Sequence, residues 1–321
     1  MEKGGSHPPT SPDAGRESLP DPPIVRRSVG LDGRKISYLA VGGSEAGAQP
    51  TVLLIHGSGV SARSWTNQLR GLGQALRVLA MDLPGHGESD AISEVSLEGY
   101  ADAVRGVLDA LGAGPVFAVG HSLGGAVAQL LATRHPHPVT GLVLISTCAR
   151  LPESSGFLEN FSRYLPAPIR KILFFSMAKK ILFAPTASRE AILLGMEEIR
   201  SCRPETILSD LALARAMDLQ DVARGIRVPT LILCGGRDKL TAPALSERLS
   251  QLIPGSRLLI QERAGHMLPL EAPEWVNQEI LGFVRAVARR EIGPLSFLGR
   301  VVKRSIVRRL IDMGKTLFRR G

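Results

Sequence analysis

Residues 116–131, VFAVGHSLGGAVAQLL, form the stretch of sequence that decides the fold. The run holds no Asp, Glu, Lys or Arg and has glycines at a small-xxx-small spacing, a pattern also found in membrane-spanning helices. A span needs about 20 residues of continuous helix, whereas Pro115 and three glycines interrupt this segment. The apolar residues at 116–119 favour a β-strand. We therefore predict a short buried strand, a sharp turn at Ser122 and a helix over 123–134.

Short apolar runs alternate with helical patterns on both sides of that segment. Asp32 and Gly33 predict the turn of an N-terminal hairpin. Further buried strands are predicted in the runs PTVLLIHG, RVLAMD, VTGLVLIS, PTLILCG and SRLLIQE. Strands that alternate with helices at this spacing predict the α/β class, with a mostly parallel sheet flanked by helices on both faces.

Composition and periodicity divide the chain into four predicted parts. They are a disordered leader at 1–22, a core at 23–147 and 218–290, a helical cap at 148–217 and a basic amphipathic helix at 291–321. The leader is rich in Pro, Gly and Ser and lacks the apolar stretch of a signal peptide. The apolar part of the cap, at 161–185, fits a lid packed on the core, an acyl-binding roof, or both.

The net charge of +9 comes from the last 37 residues. Residues 285–321 carry 11 Lys and Arg against two acids, whereas the rest of the chain has 28 of each sign. Val302, Ile306 and Leu310 fall on one helical face of this tail, and the basic residues fall mostly on the other. The pattern predicts contact with an anionic membrane surface through residues 298–320, or docking on the domain or a second subunit.

The partners and location follow from the same pattern. No aromatic interleaving or known motif supports binding to nucleic acid. The expected location is cytoplasmic, with peripheral attachment at the inner membrane surface through the basic tail.

Gly120-His121-Ser122-Leu123-Gly124 has the form G-x-S-x-G and lies where the predicted strand turns into the predicted helix. A serine in so sharp a turn adopts a strained backbone, and small residues two positions away on either side let strand and helix approach closely. The turn exposes the hydroxyl above the sheet, at the positive end of a helix. Ser122 is therefore predicted to be a nucleophile.

A serine nucleophile needs a base and a group that orients the base. His266 follows the last predicted strand and is the candidate base. Asp238 follows the penultimate strand and is the candidate acid, so both are expected at the sheet edge where Ser122 lies. His56 and His86 belong to glycine-rich loops, and we predict that they brace those loops.

Two backbone N–H groups are needed to bind the oxyanion of a tetrahedral intermediate. One is predicted to be that of Leu123, which follows the nucleophile. The other is predicted in the loop HGSGVSARSW at Ser58, with Gly57 and Gly59 as neighbouring alternatives. No metal or other cofactor is predicted, because the histidines lack metal-ligand spacing and the three cysteines form no CxxC pair.

Five motifs resemble, in order and spacing, those of the α/β-hydrolase fold superfamily: HGSG…W, DLPGHGES, GHSLGG, GGRDKLTAP and AGHMLPLEAPE. The resemblance covers residues 25–288 and points to the serine esterase/lipase-like branch with a helical cap. It implies an eight-stranded sheet and a triad of Ser122, His266 and Asp238. Haloalkane dehalogenases and epoxide hydrolases of this superfamily carry Asp at the nucleophile position, so the serine disfavours those activities.

Together these features predict a serine hydrolase that cleaves a small-molecule or lipid-like carboxylic ester through an acyl-enzyme intermediate. The acyl group is predicted to be apolar. The same triad could serve a C–C bond hydrolase, a thioesterase or an acyltransferase. Outside enzymes, the fold could serve as a membrane-bound scaffold or ligand receptor with an idle triad.

Overall fold

The computed structural model describes residues 23–42, 50–135, 139–152 and 167–289, with the backbone alone for 167–174. The predicted leader at 1–22 and the predicted amphipathic helix at 291–321 lie outside the described residues.

The described strands build one sheet. They are β1 (Val25–Leu31), β2 (Arg34–Val41), β3 (Thr51–Ile55), β4 (Arg77–Met81), β5 (Val116–His121), β6 (Val139–Ile145), β7 (Thr230–Gly235) and β8 (Arg257–Gln261). In the described residues these eight strands follow the spatial order β1-β2-β4-β3-β5-β6-β7-β8. β2 is antiparallel to both of its neighbours, and all other adjacent pairs are parallel. The predicted fold class and the eight-stranded sheet are confirmed.

Helices cover both faces of this sheet. The described ones are a 3₁₀ helix (Ala62–Trp65), α1 (Thr66–Gly73), α2 (Leu97–Ala110), α3 (Leu123–Arg134), α4 (Ala167–Leu182), α5 (Arg189–Ser201), α6 (Pro204–Ala216), α7 (Gln220–Gly225), α8 (Pro243–Leu252), α9 (Leu268–Glu271) and α10 (Pro273–Ala288). One apolar cluster joins α2, α3 and α8 to one face of the sheet, and a second joins α1 and α10 to the other. Alternate residues of β3 enter opposite clusters, as the two-residue period of a strand requires.

The hairpin of β1 and β2 turns at Asp32 and Gly33, as predicted. Both residues have positive φ, 48° and 75°, and Leu31 pairs with Arg34 across the two-residue loop. Positive φ at both central residues is typical of the type I′ turn, whose twist matches that of a hairpin.

β5 lies in the middle of the sheet and passes into α3 through Ser122. Every residue of β5 is buried, and α3 is buried without a break from Leu123 to Ala132. The apolar run at 116–131 therefore forms the centre of the core. None of the helices in the described ranges is both long and apolar enough to cross a membrane.

The passage from β5 to α3 is so tight that glycine is required on both sides of Ser122. A Cβ on Gly120 would overlap the carbonyl of Gly124, and a Cβ on Gly124 would overlap the carbonyl oxygens of Ile55 and His56. These neighbours are backbone atoms of the central strands and the nucleophile turn, so they cannot move aside without disturbing the sheet.

α4, α5 and α6, called the inserted helices below, lie between β6 and β7 in the chain. The two ends of this insertion meet: Arg150 and Asp218 form an antiparallel bridge, and the N–H of Leu219 donates to the carbonyl of Ala149 at 2.8 Å. The insertion therefore leaves and rejoins the sheet at one place. These junctions lie close to the predicted boundaries, residues 148 and 217.

The glycine requirement gives a matched pair of substitutions. Gly124→Ala should lower the free energy of unfolding by about 3 kcal/mol, because its methyl group meets backbone oxygens. Gly282→Ala, on an exposed face of α10 with no atom near its Cβ position, should raise it by about 0.5–1 kcal/mol through helix propensity. Urea unfolding of both variants checks the pair. Equal stabilities would contradict the close crossing of β5 and α3.

Candidate active site

Ser122 occupies the strained turn that its motif predicts. Its backbone has φ 53° and ψ −121°, a region that costs a non-glycine residue about 1–3 kcal/mol. Two hydrogen bonds hold the turn against the end of β6. The N–H of Ser122 donates to Ile145 at 2.9 Å, and the Thr147 hydroxyl donates to the Ser122 carbonyl at 2.8 Å. The side chain is half-buried and remains accessible from the carboxyl edge of the sheet.

His266 lies in the loop after β8 and reaches Ser122 directly. Its Nε2 is 3.0 Å from Oγ of Ser122. The backbone of the histidine is bonded on both sides. Its N–H donates to the carbonyl of Leu182 at 2.9 Å, and its carbonyl accepts from Nε2 of His121 at 2.9 Å. The ring is buried, with 2% of the residue exposed, so its orientation is set by these contacts.

Asp238 lies in the loop after β7 and contacts the other ring nitrogen of His266. Its Oδ2 is 2.9 Å from Nδ1 of His266. Oδ1 accepts the N–H groups of Leu240 and Thr241, both at 2.8 Å, and the Thr241 hydroxyl donates to Oδ2 at 2.8 Å. Burial alone would raise the pKa of Asp238, but the attraction of His266 and the hydrogen bonds from His266 and Thr241 together lower it.

The structure thus brings together Ser122, His266 and Asp238, the three side chains that the sequence analysis selected. A hydroxyl bonded to an imidazole, whose second nitrogen faces a carboxylate, can lose its proton to that imidazole when it attacks an electrophile.

The two N–H groups predicted for an oxyanion come from loops beside Ser122. Leu123 is the first residue of α3, where the N–H has no partner within the helix. Ser58 follows Gly57, whose Cβ position would be only 3.0 Å from Cβ of Ser122. Among the described residues, no hydrogen bond occupies the N–H of either Ser58 or Leu123. Both N–H groups are therefore open to a further hydrogen bond.

His56 and His86 brace the loops after β3 and β4. The Nδ1–H of His56 donates to Gly57 at 2.8 Å, and its Nε2 accepts from the N–H of Leu83 at 3.0 Å. Burial and repulsion by His86 lower the pKa of His56 to about 4, so the ring is neutral. The His86 side chain is fully buried, and its Nε2 lies 2.9 Å from Oδ2 of Asp210 in α6.

His121, the second residue of the G-x-S-x-G motif, is also buried. Burial and the nearby His266 lower the pKa of His121 to about 3, so it bonds the His266 carbonyl as a neutral donor.

Two residues that shape the site, Thr241 and Glu198, were not predicted from the sequence. Thr241 stands three positions after Asp238, a spacing typical of local turns in which an Asp side chain accepts backbone N–H groups. That spacing could have identified it. Glu198 of α5 accepts both the N–H and the hydroxyl of Ser61, in the loop after β3, and no sequence signal links residues 137 positions apart.

No metal site is found in the described part of the chain, where no group of three or more His, Cys, Asp or Glu side chains could hold an ion.

Comparisons with known proteins agree with this geometry. A family model described as the alpha/beta hydrolase family matches residues 52–279. The pimeloyl-[acyl-carrier protein] methyl ester esterase of Neisseria meningitidis is 31% identical over 225 residues, which cover 67% of this chain and 86% of the relative.

Two solved structures superpose well. A thermophilic esterase from Thermogutta terrifontis has a TM-score of 0.69 at 29% identity, over 83% of this chain and 99% of that one. A bacterial membrane phospholipase A has a TM-score of 0.70 at 28% identity, over 83% and 87% of the two chains. The predicted esterase/lipase-like resemblance and the predicted reaction class, hydrolysis of an ester, are confirmed. The chain belongs to the alpha/beta hydrolase family.

Proposed function

We propose that this chain hydrolyses carboxylic esters with an apolar acyl group by covalent catalysis at Ser122. The observation that carries the proposal is the unbroken chain of hydrogen bonds from Ser122 through His266 to Asp238, 3.0 Å and 2.9 Å long. Its three members come from different strand ends, so their meeting is a property of the whole fold.

Acylation begins with attack of Ser122 Oγ on the ester carbonyl. Nε2 of His266 takes the hydroxyl proton, and Asp238 accepts the Nδ1–H, which fixes the tautomer and stabilises the imidazolium. Because the pKa of Asp238 is lowered, the carboxylate stays ionised at neutral pH. The imidazolium then protonates the leaving alcohol, and an acyl-enzyme remains.

The tetrahedral oxyanion is assigned to the N–H groups of Ser58 and Leu123. Both are unoccupied among the described residues, and the second also benefits from the positive end of the α3 dipole. Deacylation repeats the sequence with water, which His266 activates as a general base.

The apolar acyl group is assigned to the apolar surface that the inserted helices, which we propose act as the cap, share with the loops after β3 and β8. Val60 in the loop after β3 and Met267 next to the base share one apolar cluster with residues of the inserted helices and their connections. The cluster also contains Phe183, Met196 and Ile199. Apolar side chains therefore lie beside both the base and the oxyanion loop. The predicted cap, 148–217, fits this assignment.

The other reactions open to this triad differ in the bond cleaved or in the acceptor of the acyl group. Mass analysis of products in mixtures of water and a short alcohol separates hydrolysis from acyl transfer. Cleavage rates of oxygen esters, thioesters and substrates with a hydrolysable C–C bond are then compared. They separate an esterase from a thioesterase and from a C–C bond hydrolase.

Substitution of the nucleophile tests the proposal directly. Ser122→Ala should reduce kcat/KM for a p-nitrophenyl ester roughly 10⁴–10⁶-fold and abolish labelling by a fluorophosphonate probe, because the attacking hydroxyl is gone. Ser201→Ala, an exposed serine on α5, is the control and should label like the wild type. Labelling of Ser122→Ala at the wild-type rate would remove Ser122 from the mechanism.

Substitution of the acid tests the hydrogen-bond chain. Asp238→Asn should lower kcat about 10⁴-fold, the effect known for this change in chymotrypsin-type triads, because the amide favours the wrong imidazole tautomer. The amide oxygen can still accept from Leu240 and Thr241, so the thermal midpoint should change little. Activity within tenfold of wild type in a folded variant would contradict the assigned role.

We also propose that the basic tail attaches the enzyme to an anionic membrane surface. Residues 298–320 lie outside the described residues, so the proposal rests on their apolar stripe and basic face in the sequence. Each cation near such a surface contributes on the order of 1 kcal/mol. A lipid-like ester would then be met at the inner membrane surface, and the membrane phospholipase among the structural relatives fits this arrangement.

Removal of the tail tests attachment separately from catalysis. Deleting residues 291–321 should weaken binding to vesicles that contain anionic lipid at least tenfold, while kcat/KM for a soluble short ester stays unchanged. Vesicles of neutral lipid are the control, and added salt should weaken binding of the full chain. Equal binding of both proteins to anionic vesicles would overturn the proposal.

A further inference from the structure

The loop that carries His266 is bonded directly to one of the inserted helices. Leu182 is the last residue of α4, and its carbonyl accepts the N–H groups of both His266 and Met267, at 2.9 Å and 3.1 Å. The backbone of His266 is thus hydrogen-bonded to α4, one of the inserted helices that we propose act as the cap.

Glu271 completes this connection from the other side. It ends α9, the short helix after His266, and its Oε2 accepts two backbone N–H groups, those of Gly265 and Ala184, each at 3.0 Å. Gly265 immediately precedes the base, and Ala184 follows α4 by two residues. One carboxylate oxygen therefore joins the base loop to the end of the inserted helix.

The two segments are packed without space between them. A Cβ on Gly265 would lie 2.6 Å from the backbone nitrogen of Ala184 and 3.0 Å from the carbonyl carbon of Phe183. On its other side, the carbonyl oxygen of Gly265 fills the position that a Cβ on Gly235, at the end of β7, would need. The base loop is therefore held between the sheet and residues 182–184.

The carboxyl group of Glu271 lies where burial disfavours its charged form. Burial raises the pKa of its carboxyl group against the lowering effect of the backbone N–H groups. Its second oxygen, Oε1, is buried without a hydrogen-bond partner among the described residues. A buried acceptor without a partner is unfavourable, so the value of this side chain lies in what Oε2 holds in place.

We propose, on the basis of the proposed function, that Glu271 is a positioning residue for His266: it clamps the base loop to the end of α4, so that the inserted helices and the base move as one unit. The position of the base then depends on the docking of the cap. Displacement of a catalytic group by about 1 Å can cost 10²-fold in rate.

The test compares substitutions of Glu271 that remove or keep the acceptor. Glu271→Met has nearly the same length and no strong acceptor, and it should lower kcat about 10–100-fold with KM changed less than about threefold. Glu271→Gln keeps an oxygen at the Oε2 position and should restore kcat to within about threefold of wild type. The rate of fluorophosphonate labelling should fall with kcat, because labelling needs the same attack by Ser122 with His266 as base.

Val284→Ala is the control for stability. Val284 is buried on α10, on the sheet face away from the inserted helices, so its truncation should lower the thermal midpoint and leave kcat unchanged. If Glu271→Met fails to fold, Glu271→Asp takes its place, because a carboxylate one methylene shorter cannot reach both N–H groups. It should lower kcat at least about fivefold.

Three results would overturn the inference: wild-type kcat in Glu271→Met or in Glu271→Asp, failure of Glu271→Gln to restore kcat, or an equal loss of kcat in Val284→Ala. The proposed function is judged separately. If wild type and Ser122→Ala cleave the ester equally, that function fails whatever the Glu271 variants do.

Discussion

The tight crossing between the end of β5 and the start of α3 is the constraint on which the rest of the structure depends. Ser122 sits at that crossing with a positive φ that only the surrounding bonds maintain. Gly120 and Gly124 leave no room for a side chain. Because β5 is a central strand of a parallel sheet, the loops after β3, β6, β7 and β8 all end at the same edge. The hydroxyl therefore points to the place where those loops meet.

Three buried or half-buried carboxylates other than Asp238 join the inserted helices to the loops after β3, β4 and β8. Glu198 bonds Ser61 in the loop after β3, and Asp210 bonds His86 in the loop after β4. Glu271 bonds the loop after β8 to the end of α4. Loss of such a hydrogen bond costs about 1–3 kcal/mol or more, because a buried polar group is left without a partner. The inserted helices are thus joined to the loops that carry Ser61, His86 and Gly265.

Much of the fold could be predicted because local patterns decide it. The run at 116–131 is interrupted by three glycines, as a strand–turn–helix requires, and Asp32-Gly33 encodes its turn in two residues. The three members of the hydrogen-bond chain were also within reach, since each follows a predicted strand and parallel strands share an edge.

The carboxylates that join the inserted helices to the loops could not be predicted from local patterns. Glu198 and Asp210 read as ordinary polar positions of amphipathic helices, and their partners are 137 and 124 residues away. Nothing in local periodicity distinguishes an acid that faces solvent from one that faces a distant loop. The orientation of the inserted helices on the sheet was likewise not available, because it results from contacts among side chains and not from any repeat in the chain.

The bridge between Arg150 and Asp218 closes the insertion where it meets the sheet. Since the insertion departs and returns at a single seam between two adjacent strands, its length and composition can vary while the sheet keeps its register. The insertion is therefore a separable unit of the chain, attached to the sheet at one seam and to the neighbouring loops by a few carboxylates.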